Sequence, residues 1–311
     1  MSDTYTDELF QEKNASKLVP LYRNAFGAKT SSASIKRKFF ADYQKVRASY
    51  LTLENSSDIV SFYGVISQKA TFNDAVFSIA QSCDSMTHKD HSGKGLFINL
   101  AKKAYEQLVK DGVNFVYGFP NKAIYSLRIK KLHWKHLENI NYFEKKIWTF
   151  PFAKVVKKYP ALRSCYNSFL NIILRKYRTN VTFFSNSVVE PGIGGVLHDK
   201  DYFDYKKGTN KFILNISGIN FWVKFDGMLW VGDFERSNVK QFAQALKGLK
   251  TIATLTGCSK IAFHFHEGSA NDALLQQFLE VNYAMPCGYL NLAVDDEERK
   301  FKFCGADFDT W

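Results

Sequence analysis

The sequence DSMTHKDHSGKGLF, at residues 84–97, joins a β-rich stretch to an amphipathic helix through a short polar loop. Gly93 and Gly95 let the backbone of this loop approach a ligand closely, because glycine has no Cβ atom. Successive free N–H groups at the start of a helix attract a pyrophosphate, and Lys94 adds a positive charge beside them. An ordinary strand-to-helix turn is the alternative, since the spacing is not that of a P-loop and a single Gly-x-Gly is weak evidence for a dinucleotide fold.

The spacing of apolar residues around this loop predicts an α+β domain. Upstream it indicates two helices and then an antiparallel meander of three strands. Downstream it indicates a helix, a buried strand, a second helix and a further strand. The predicted helices are 7–26, 31–40, 96–110 and 123–132, and the predicted strands are 48–53, 59–67, 75–86, 113–119 and 140–150.

The second half of the chain repeats the same order of elements. An internal duplication is the economical explanation, and it predicts three regions: a domain at 1–150, a basic helical linker at 151–180 and a second domain at 181–311. The predicted strands of the second half are 212–216, 220–225, 228–233, 260–266, 288–294 and 301–304, and its predicted helices are 238–256 and 271–279.

Length and charge agree with two domains and point to an anionic partner. A chain of 311 residues is typical of two domains. The net charge of +12 lies in the middle, where residues 121–180 hold 14 Lys and Arg against 2 Asp and Glu. Such a segment attracts phosphates, a nucleic acid or an anionic membrane surface, although a solvated helix face is the alternative.

Composition favours an ordinary globular protein. Apolar residues make up 46% and charged residues 23%, which disfavours disordered, collagen-like and disulfide-scaffold classes. No apolar run approaches the roughly 20 residues that span a bilayer, and the polar, acidic start is unlike a signal peptide. Five cysteines without CxxC spacing fit a reducing compartment, so a cytoplasmic location is expected.

A pair of histidines is the one pattern that suggests a metal. His264 and His266 alternate on a predicted strand beside Glu267. A third ligand at a defined spacing is missing, so we expect a hydrogen-bonded histidine pair within a sheet and no metal site.

Residues 88–97 resemble the signature of the GNAT superfamily of acyl-CoA N-acyltransferases, Arg/Gln-x-x-Gly-x-Gly/Ala between the fourth strand and the third helix. Gly93 and Gly95 match the glycines of the signature. Ser92 stands where Arg or Gln is usual, and Phe97 stands where a small residue is usual. The change to serine removes a side-chain contact with phosphate but leaves the backbone N–H groups in place.

Two further segments are similar to GNAT proteins. YGFPN at 117–121 and KLHW at 131–134 resemble a segment of the polysaccharide-biosynthesis and aminoglycoside-acetylating branches, with His133 in place of the usual glycine. GADFDTW at 305–311 resembles the ending of two-domain members. The resemblance therefore implies a GNAT fold, a mixed central sheet flanked by helices, duplicated as two tandem GNAT-like domains.

The resemblance also implies acetyl-CoA as the cosubstrate. CoA is expected between the strand that ends near Met86 and the strand that ends near Phe119, with a β-bulge amide at Ser85 or Met86 touching the thioester carbonyl. The expected cofactor-binding residues are Ser85, Met86, His91, Ser92, Gly93, Lys94, Gly95, Leu96, Phe97 and Asn121.

Transfer to an amine needs a base for the ammonium and an acid for the departing thiolate. Asp84 or His88 is the expected base, directly or through water, and a turn or strand-edge role is the alternative for each. Tyr125 is the expected acid, because a phenol is protonated near neutral pH, and plain packing is its alternative. The usual tyrosine lies one turn later, where this chain has Arg128.

Three functions compete. The first is an N-acetyltransferase that takes a primary amine, for example an amino sugar, and whose second domain lacks the glycine loop because 233–236 (DFER) stands in its place. The second is a Fem-type aminoacyltransferase that uses aminoacyl-tRNA, which the basic segment would suit but the glycine loop disfavours. The third is a non-catalytic, degenerate GNAT binding protein. We expect an anionic carrier or a membrane surface, rather than nucleic acid, as the partner of residues 121–180.

Overall fold

The computed structural model describes residues 5–27, 30–55, 57–292 and 299–311. The chain forms two compact units. The first contains Met1–Ala70, Val76–Leu137 and Pro286–Glu298, and the second contains Thr71–Ala75, Glu138–Met285 and Arg299–Trp311. The units are thus discontinuous in sequence, whereas the expected domains 1–150, 151–180 and 181–311 are continuous, and the basic segment 151–180 lies inside the second unit.

A mixed sheet forms the centre of the first unit. β1 pairs antiparallel with β2, and β2 with β3, whereas β4 pairs parallel with β5. The strands are β1 (Tyr5–Leu9), β2 (Tyr50–Glu54), β3 (Asp58–Phe72), β4 (Ala75–Thr87) and β5 (Phe115–Gly118). The helices are α1 (Ala15–Phe26), α2 (Ser32–Phe40), α3 (Leu96–Lys110) and α4 (Lys122–Leu132).

Helices cover both faces of this sheet, because successive residues of a strand point to opposite faces. Phe62 of β3 packs with Leu18 of α1 and Phe39 of α2 in one core cluster. Its neighbour Tyr63 packs with Leu100 of α3 in the other. The predicted mixed sheet flanked by helices is therefore confirmed.

The second unit contains its own parallel strand–helix–strand arrangement. β10 (Leu229–Phe234) and β11 (Lys260–His266) pair in parallel, and β9 (Ile219–Phe225) pairs antiparallel with β10 and with β8 (Lys211–Ile216). With the helices α8 (Val239–Leu255) and α9 (Ala270–Gln276), the order β10–α8–β11–α9 repeats β4–α3–β5–α4, as expected of tandem GNAT-like units. The remaining elements are β6 (Lys135–Lys146), α5 (Phe152–Lys158), α6 (Arg163–Ile173), β7 (Gly195–Val196), α7 (Lys200–Lys206) and β12 (Val281–Asn291).

Several predicted elements were wrong in type or extent. The helix expected from residue 7 begins only at Ala15, because Tyr5–Leu9 pairs with β2 as a strand. α7 was missed, and 301–304 is no strand but makes isolated bridges from Phe301 and Cys304. The strand expected at 288–294 begins at Val281, and its last two residues lie outside the described part of the chain. Among the described helices, none has the length and apolar character needed to cross a membrane.

A buried histidine between two carboxylates organises the second unit. His198 Nε2 lies 2.8 Å from Asp307 Oδ1, and Nδ1 lies 3.4 Å from Asp233 Oδ2. Burial lowers the pKa of His198, but the two carboxylates outweigh it and raise the pKa to about 9. Cys304 completes a group spaced closely enough to hold a metal. However, burial raises the pKa of Cys304, and a protonated imidazole has no lone pair for a metal.

This arrangement predicts a pH-dependent stability. A histidine with a raised pKa stabilises the fold fully below its unfolded pKa of about 6.5, and the gain is lost as the pH rises through about 9. The free energy of unfolding, measured by urea denaturation, should therefore fall between pH 6.5 and 9 by up to about 3 kcal/mol. Asp307→Asn should lower the stability at pH 6.5 and make this slope shallower.

His264→Gln is the matched control for that measurement. Burial lowers the pKa of His264 to about 4, so this histidine is neutral in the folded protein throughout the range. Above about pH 7.5 it is neutral in the unfolded chain as well, and there its replacement should keep the wild-type slope. Equal slopes in the wild type and in Asp307→Asn would contradict the assignment.

Candidate functional site

The loop between β4 and α3 has the backbone conformation that its glycines predict. Gly93 has φ +81° and Gly95 has φ +77°, in the left-handed region that other residues rarely adopt. A Cβ atom built on either glycine would meet no atom within 4 Å. The loop therefore faces open space at both positions.

Free backbone donors lie beside that space. Gly95 is the N-cap of α3, and no side chain caps the helix. The first two backbone bonds there come from the N–H groups of Ile98 and Asn99, which donate to the Gly95 carbonyl. Within the described residues, the N–H groups of Gly93, Gly95, Leu96 and Phe97 have no hydrogen-bond acceptor. Four free donors at the start of a fifteen-residue helix make a site for an anion.

The polar side chains of the loop form hydrogen bonds within the protein that hold the loop in place. Lys94 Nζ donates to the hydroxyl of Tyr5 (2.7 Å), which lies 2.8 Å from His91 Nδ1. The hydroxyl of Ser92 donates to the His88 carbonyl (3.4 Å). Lys94 and His91 thus tie the loop to β1, and sequence reasoning missed Tyr5 as their common partner.

The two residues that begin α3 contribute backbone rather than side chains. Leu96 is buried, and Phe97 packs against Tyr63 at a ring distance of 5.5 Å. Leu96 is buried in the core and the half-buried Phe97 packs against it, so their N–H groups are the polar donors that remain for a ligand.

β4 carries an irregularity at the place where a bulge was expected. Asp84 has φ +47°, and the carbonyl of Cys83 approaches Gly64 so closely that a Cβ atom there would lie 2.4 Å away. The next residue, Ser85, has a buried hydroxyl without a hydrogen-bond partner. Met86 is a core residue, so the open polar groups at this point belong to Ser85 and the backbone.

The expected base Asp84 is held by two donors. Lys38 Nζ donates to its Oδ2 (2.5 Å), and the Tyr22 hydroxyl donates to the same atom (2.6 Å). Burial, followed by the charge of Asp84, raises the pKa of Tyr22 far above its usual value, so this phenol stays a donor. Oδ1 takes part in neither bond.

The other expected base, His88, is fixed at both ring nitrogens. The amide of Asn24 lies 2.8 Å from Nε2, and the backbone N of Asp90 lies 3.3 Å from Nδ1. The oxygen of the same Asn24 amide accepts from the Lys89 N–H, so its nitrogen faces His88 as a donor. The turn role that was the alternative for His88 is present in the structure.

α4 holds the expected acid Tyr125. Asn121 caps this helix, because its Oδ1 accepts from the Ile124 N–H (3.0 Å). The Tyr125 hydroxyl lies 2.8 Å from His136 Nδ1, and burial raises the pKa of Tyr125, with a smaller contribution from Cys287. One turn later, Arg128 is almost completely buried, and its NH2 donates to the Ser82 hydroxyl (2.7 Å).

The second unit differs at the corresponding junction. Asp233 is fully buried and accepts from the Ser187 N–H, and Arg236 donates to the carbonyls of Ser187 and Val189. No residue of 233–236 is a glycine, and α8 begins only at Val239.

The C-terminal segment fills the gap between β10 and β11. The pairing of these strands ends at Val231 and Phe263, and beyond it Phe265 bridges to Cys304. A Cβ atom on Gly232 would lie 2.5 Å from the ring of Trp311. The end of the chain therefore lies where the two strands part.

The two histidines of β11 make different contacts. His266 is buried, and its Nε2 lies 3.2 Å from Glu138 Oε2 while its Nδ1 accepts from the Phe303 N–H. The hydrogen bond from His266 lowers the pKa of Glu138 to about 2. His264 stacks on Trp230 at a ring distance of 5.5 Å.

Part of the first unit matches a known protein family. Residues 8–128 match the family model described as "Acetyltransferase (GNAT) domain". No curated protein matches the chain. The prediction of a GNAT acetyltransferase domain is thereby confirmed for residues 8–128.

Solved structures share the fold over nearly the whole chain. A GCN5-related N-acetyltransferase from Kribbella flavida is 11% identical with a TM-score of 0.58, covering 93% of this chain and 71% of its own. A probable N-acyltransferase from Enterococcus faecalis is 14% identical with a TM-score of 0.59, over 93% and 73%. A GCN5-related N-acetyltransferase from Anabaena variabilis is 10% identical with a TM-score of 0.57, over 94% and 74%. At such identities the likeness shows the fold alone.

Proposed function

We propose that this chain, whose residues 8–128 form a GNAT acetyltransferase domain, transfers an acetyl group from acetyl-CoA to a primary amine. The observation that carries the proposal is the loop 91–97, with two left-handed glycines and four free N–H groups at the start of α3. These donors and the helix dipole suit the pyrophosphate of CoA. Because they are backbone groups, Ser92 in place of Arg or Gln leaves them intact.

The reaction joins the amine nitrogen to the thioester carbonyl carbon and breaks the bond from that carbon to sulfur. The nitrogen loses a proton and the sulfur leaves with the electron pair. We favour Asp84 over His88 as the base, because Asp84 Oδ1 is outside the bonds with Lys38 and Tyr22, whereas both ring nitrogens of His88 already have hydrogen-bond partners in the Asp90 N–H and the Asn24 amide. Tyr125 stays the candidate acid, and its raised pKa keeps it protonated at neutral pH.

The acceptor and the location remain predictions. An amino sugar is the expected amine, on the strength of the resemblance to the polysaccharide-biosynthesis and aminoglycoside-acetylating branches. Use of aminoacyl-tRNA would leave the free donors of the glycine loop without a purpose, and a purely binding protein would hold acetyl-CoA without transferring the acetyl group. The cytoplasmic location expected from the cysteine pattern also stays a prediction.

The basic segment supports an anionic surface as a further partner. Residues 145–178, here named the basic surface, contain nine Lys and Arg and no Asp or Glu. Trp148 is fully exposed, and Phe150 and Ile172 are each more than 70% exposed. Exposed apolar side chains among an excess of cations suit the surface of an anionic bilayer, where Trp lies at the interface and Lys binds headgroups. We propose this contact in preference to a nucleic acid, because the exposed aliphatic side chain of Ile172 gains from burial in a bilayer interface and gains nothing from base stacking.

The first prediction compares two glycines of one unit. Gly95 and Gly112 both have positive φ, and a Cβ atom on either meets no neighbour within 4 Å. Valine should therefore destabilise the fold similarly at both positions, by about 1–3 kcal/mol. Only Gly95→Val should abolish acetyl-CoA binding in calorimetry, because its side chain enters the space beside the free N–H groups. Equal acetyl-CoA affinity in the two folded variants would contradict the assignment of loop 91–97 as the acetyl-CoA site.

The second prediction is one CoA for each chain. The second unit has no glycine loop at 233–236, and Trp311 lies where β10 and β11 part. A calorimetric titration with CoA should give a stoichiometry of one. Two equivalent sites for each chain would contradict the assignment.

The third prediction concerns the basic surface. Charge reversal to Glu at Lys154, Lys158, Arg175 and Lys176, all exposed, should lower sedimentation with phosphatidylserine vesicles several-fold while acetyl-CoA affinity is kept. Reversal of the exposed Lys240 and Lys247 in α8 is the matched control and should change little. If the wild type binds RNA but not vesicles, or if both variants behave alike, the membrane contact is wrong.

A further inference from the structure

Arg128 is a buried cation without a counter-charge. Its side chain lies on α4 and is only 3% exposed. The Nη2 atom of Arg128 donates to the Ser82 hydroxyl, and the guanidinium lies 4.4 Å from the ring centre of Trp134. Its Nε and Nη1 atoms are buried and have no hydrogen-bond partner among the described residues. Among the described residues, no carboxylate pairs with Arg128.

Such an arrangement costs stability unless an anion balances it. A buried charge is normally paired, because transfer of an ion out of water is expensive. A neutral hydroxyl and an aromatic ring compensate a full positive charge only in part. The structure therefore retains an unfavourable charge at a defined place, which is typical of functional sites.

That place is the point where two parallel strands part. β4 and β5 pair at Ala80 with Val116 and at Gln81 with Tyr117. The next residue of each strand, Ser82 and Gly118, borders the guanidinium. A Cβ atom on Gly118 would lie 2.7 Å from Nη1 of Arg128, so the absence of a side chain at Gly118 leaves room for the guanidinium.

We propose that the charge of Arg128 stabilises the thiolate of CoA, an inference that rests on the proposed acetyl transfer in the first unit. As the amine nitrogen bonds to the carbonyl carbon, the sulfur takes the electron pair of the breaking bond. A cation within about 4–6 Å in a dry interior favours this anion over the thiol by 1–3 pKa units. The guanidinium supplies charge and not a proton, so the departing thiolate still takes its proton from the candidate acid Tyr125.

Equilibrium binding of CoA and desulfo-CoA as a function of pH tests the inference without turnover. Desulfo-CoA has no thiol, so its affinity measures the contribution of the rest of the CoA molecule. A thiol titrates near pH 8.5 when free and about 1–3 pH units lower beside the cation, so the affinity for CoA relative to desulfo-CoA should rise about fivefold to fiftyfold between pH 6.5 and 8.5. In Arg128→Gln this ratio should stay constant, and Arg128→Lys should retain part of the rise.

Controls separate the two proposals. Lys131→Gln removes an exposed charge from the same helix and should keep the wild-type rise. Desulfo-CoA affinity checks that each Arg128 variant is folded, and the wild-type ratio alone is decisive if neither variant folds. A ratio in the wild type that does not change with pH overturns the role of Arg128 while leaving the CoA site intact. Absence of binding by both ligands overturns the proposed function and this inference with it.

Discussion

The short parallel pairing of β4 with β5 is the constraint on which the candidate site depends. The two strands are paired at only two positions, Ala80 with Val116 and Gln81 with Tyr117. Beyond them each strand must find other partners for its polar groups. The irregular backbone at Asp84, the unpartnered hydroxyl of Ser85 and the guanidinium of Arg128 all follow immediately after this pairing ends.

The second unit resolves the same constraint differently. Its parallel strands also part, after Val231 and Phe263, but the gap is filled by the C-terminal segment of the chain. Asp307 of that segment pairs with His198, and the ring of Trp311 packs against Gly232. One repeat thus keeps an uncompensated charge where its strands part, and the other uses an ion pair at the corresponding place for stability.

The sequence predicted those features that depend on local patterns. The helix face from Leu96 to Leu108, the two glycines and the strand–helix–strand order were all visible in spacing. Tyr5 and the strand around it were not, because five residues of alternating burial give a weaker signal than the following helix. The partners of Asp84 were invisible as well, since Tyr22 and Lys38 are 62 and 46 residues away in sequence. Contacts of that separation depend on tertiary packing, which one sequence without an alignment does not report.

The free donors of the loop are backbone groups, so they tolerate changes of side chain. Free N–H groups belong to every residue type except proline, so the loop needs only two glycines for its φ angles and a helix behind it. The side chains around it are then free to change: Leu96 and Phe97 face the core, and Lys94 holds β1. Chemistry that depends on a side chain does not tolerate a change of that side chain. Arg128, which stands where the resemblance to GNAT proteins has a tyrosine, therefore changes the electrostatics where β4 and β5 part and leaves the free N–H groups at the start of α3 unchanged.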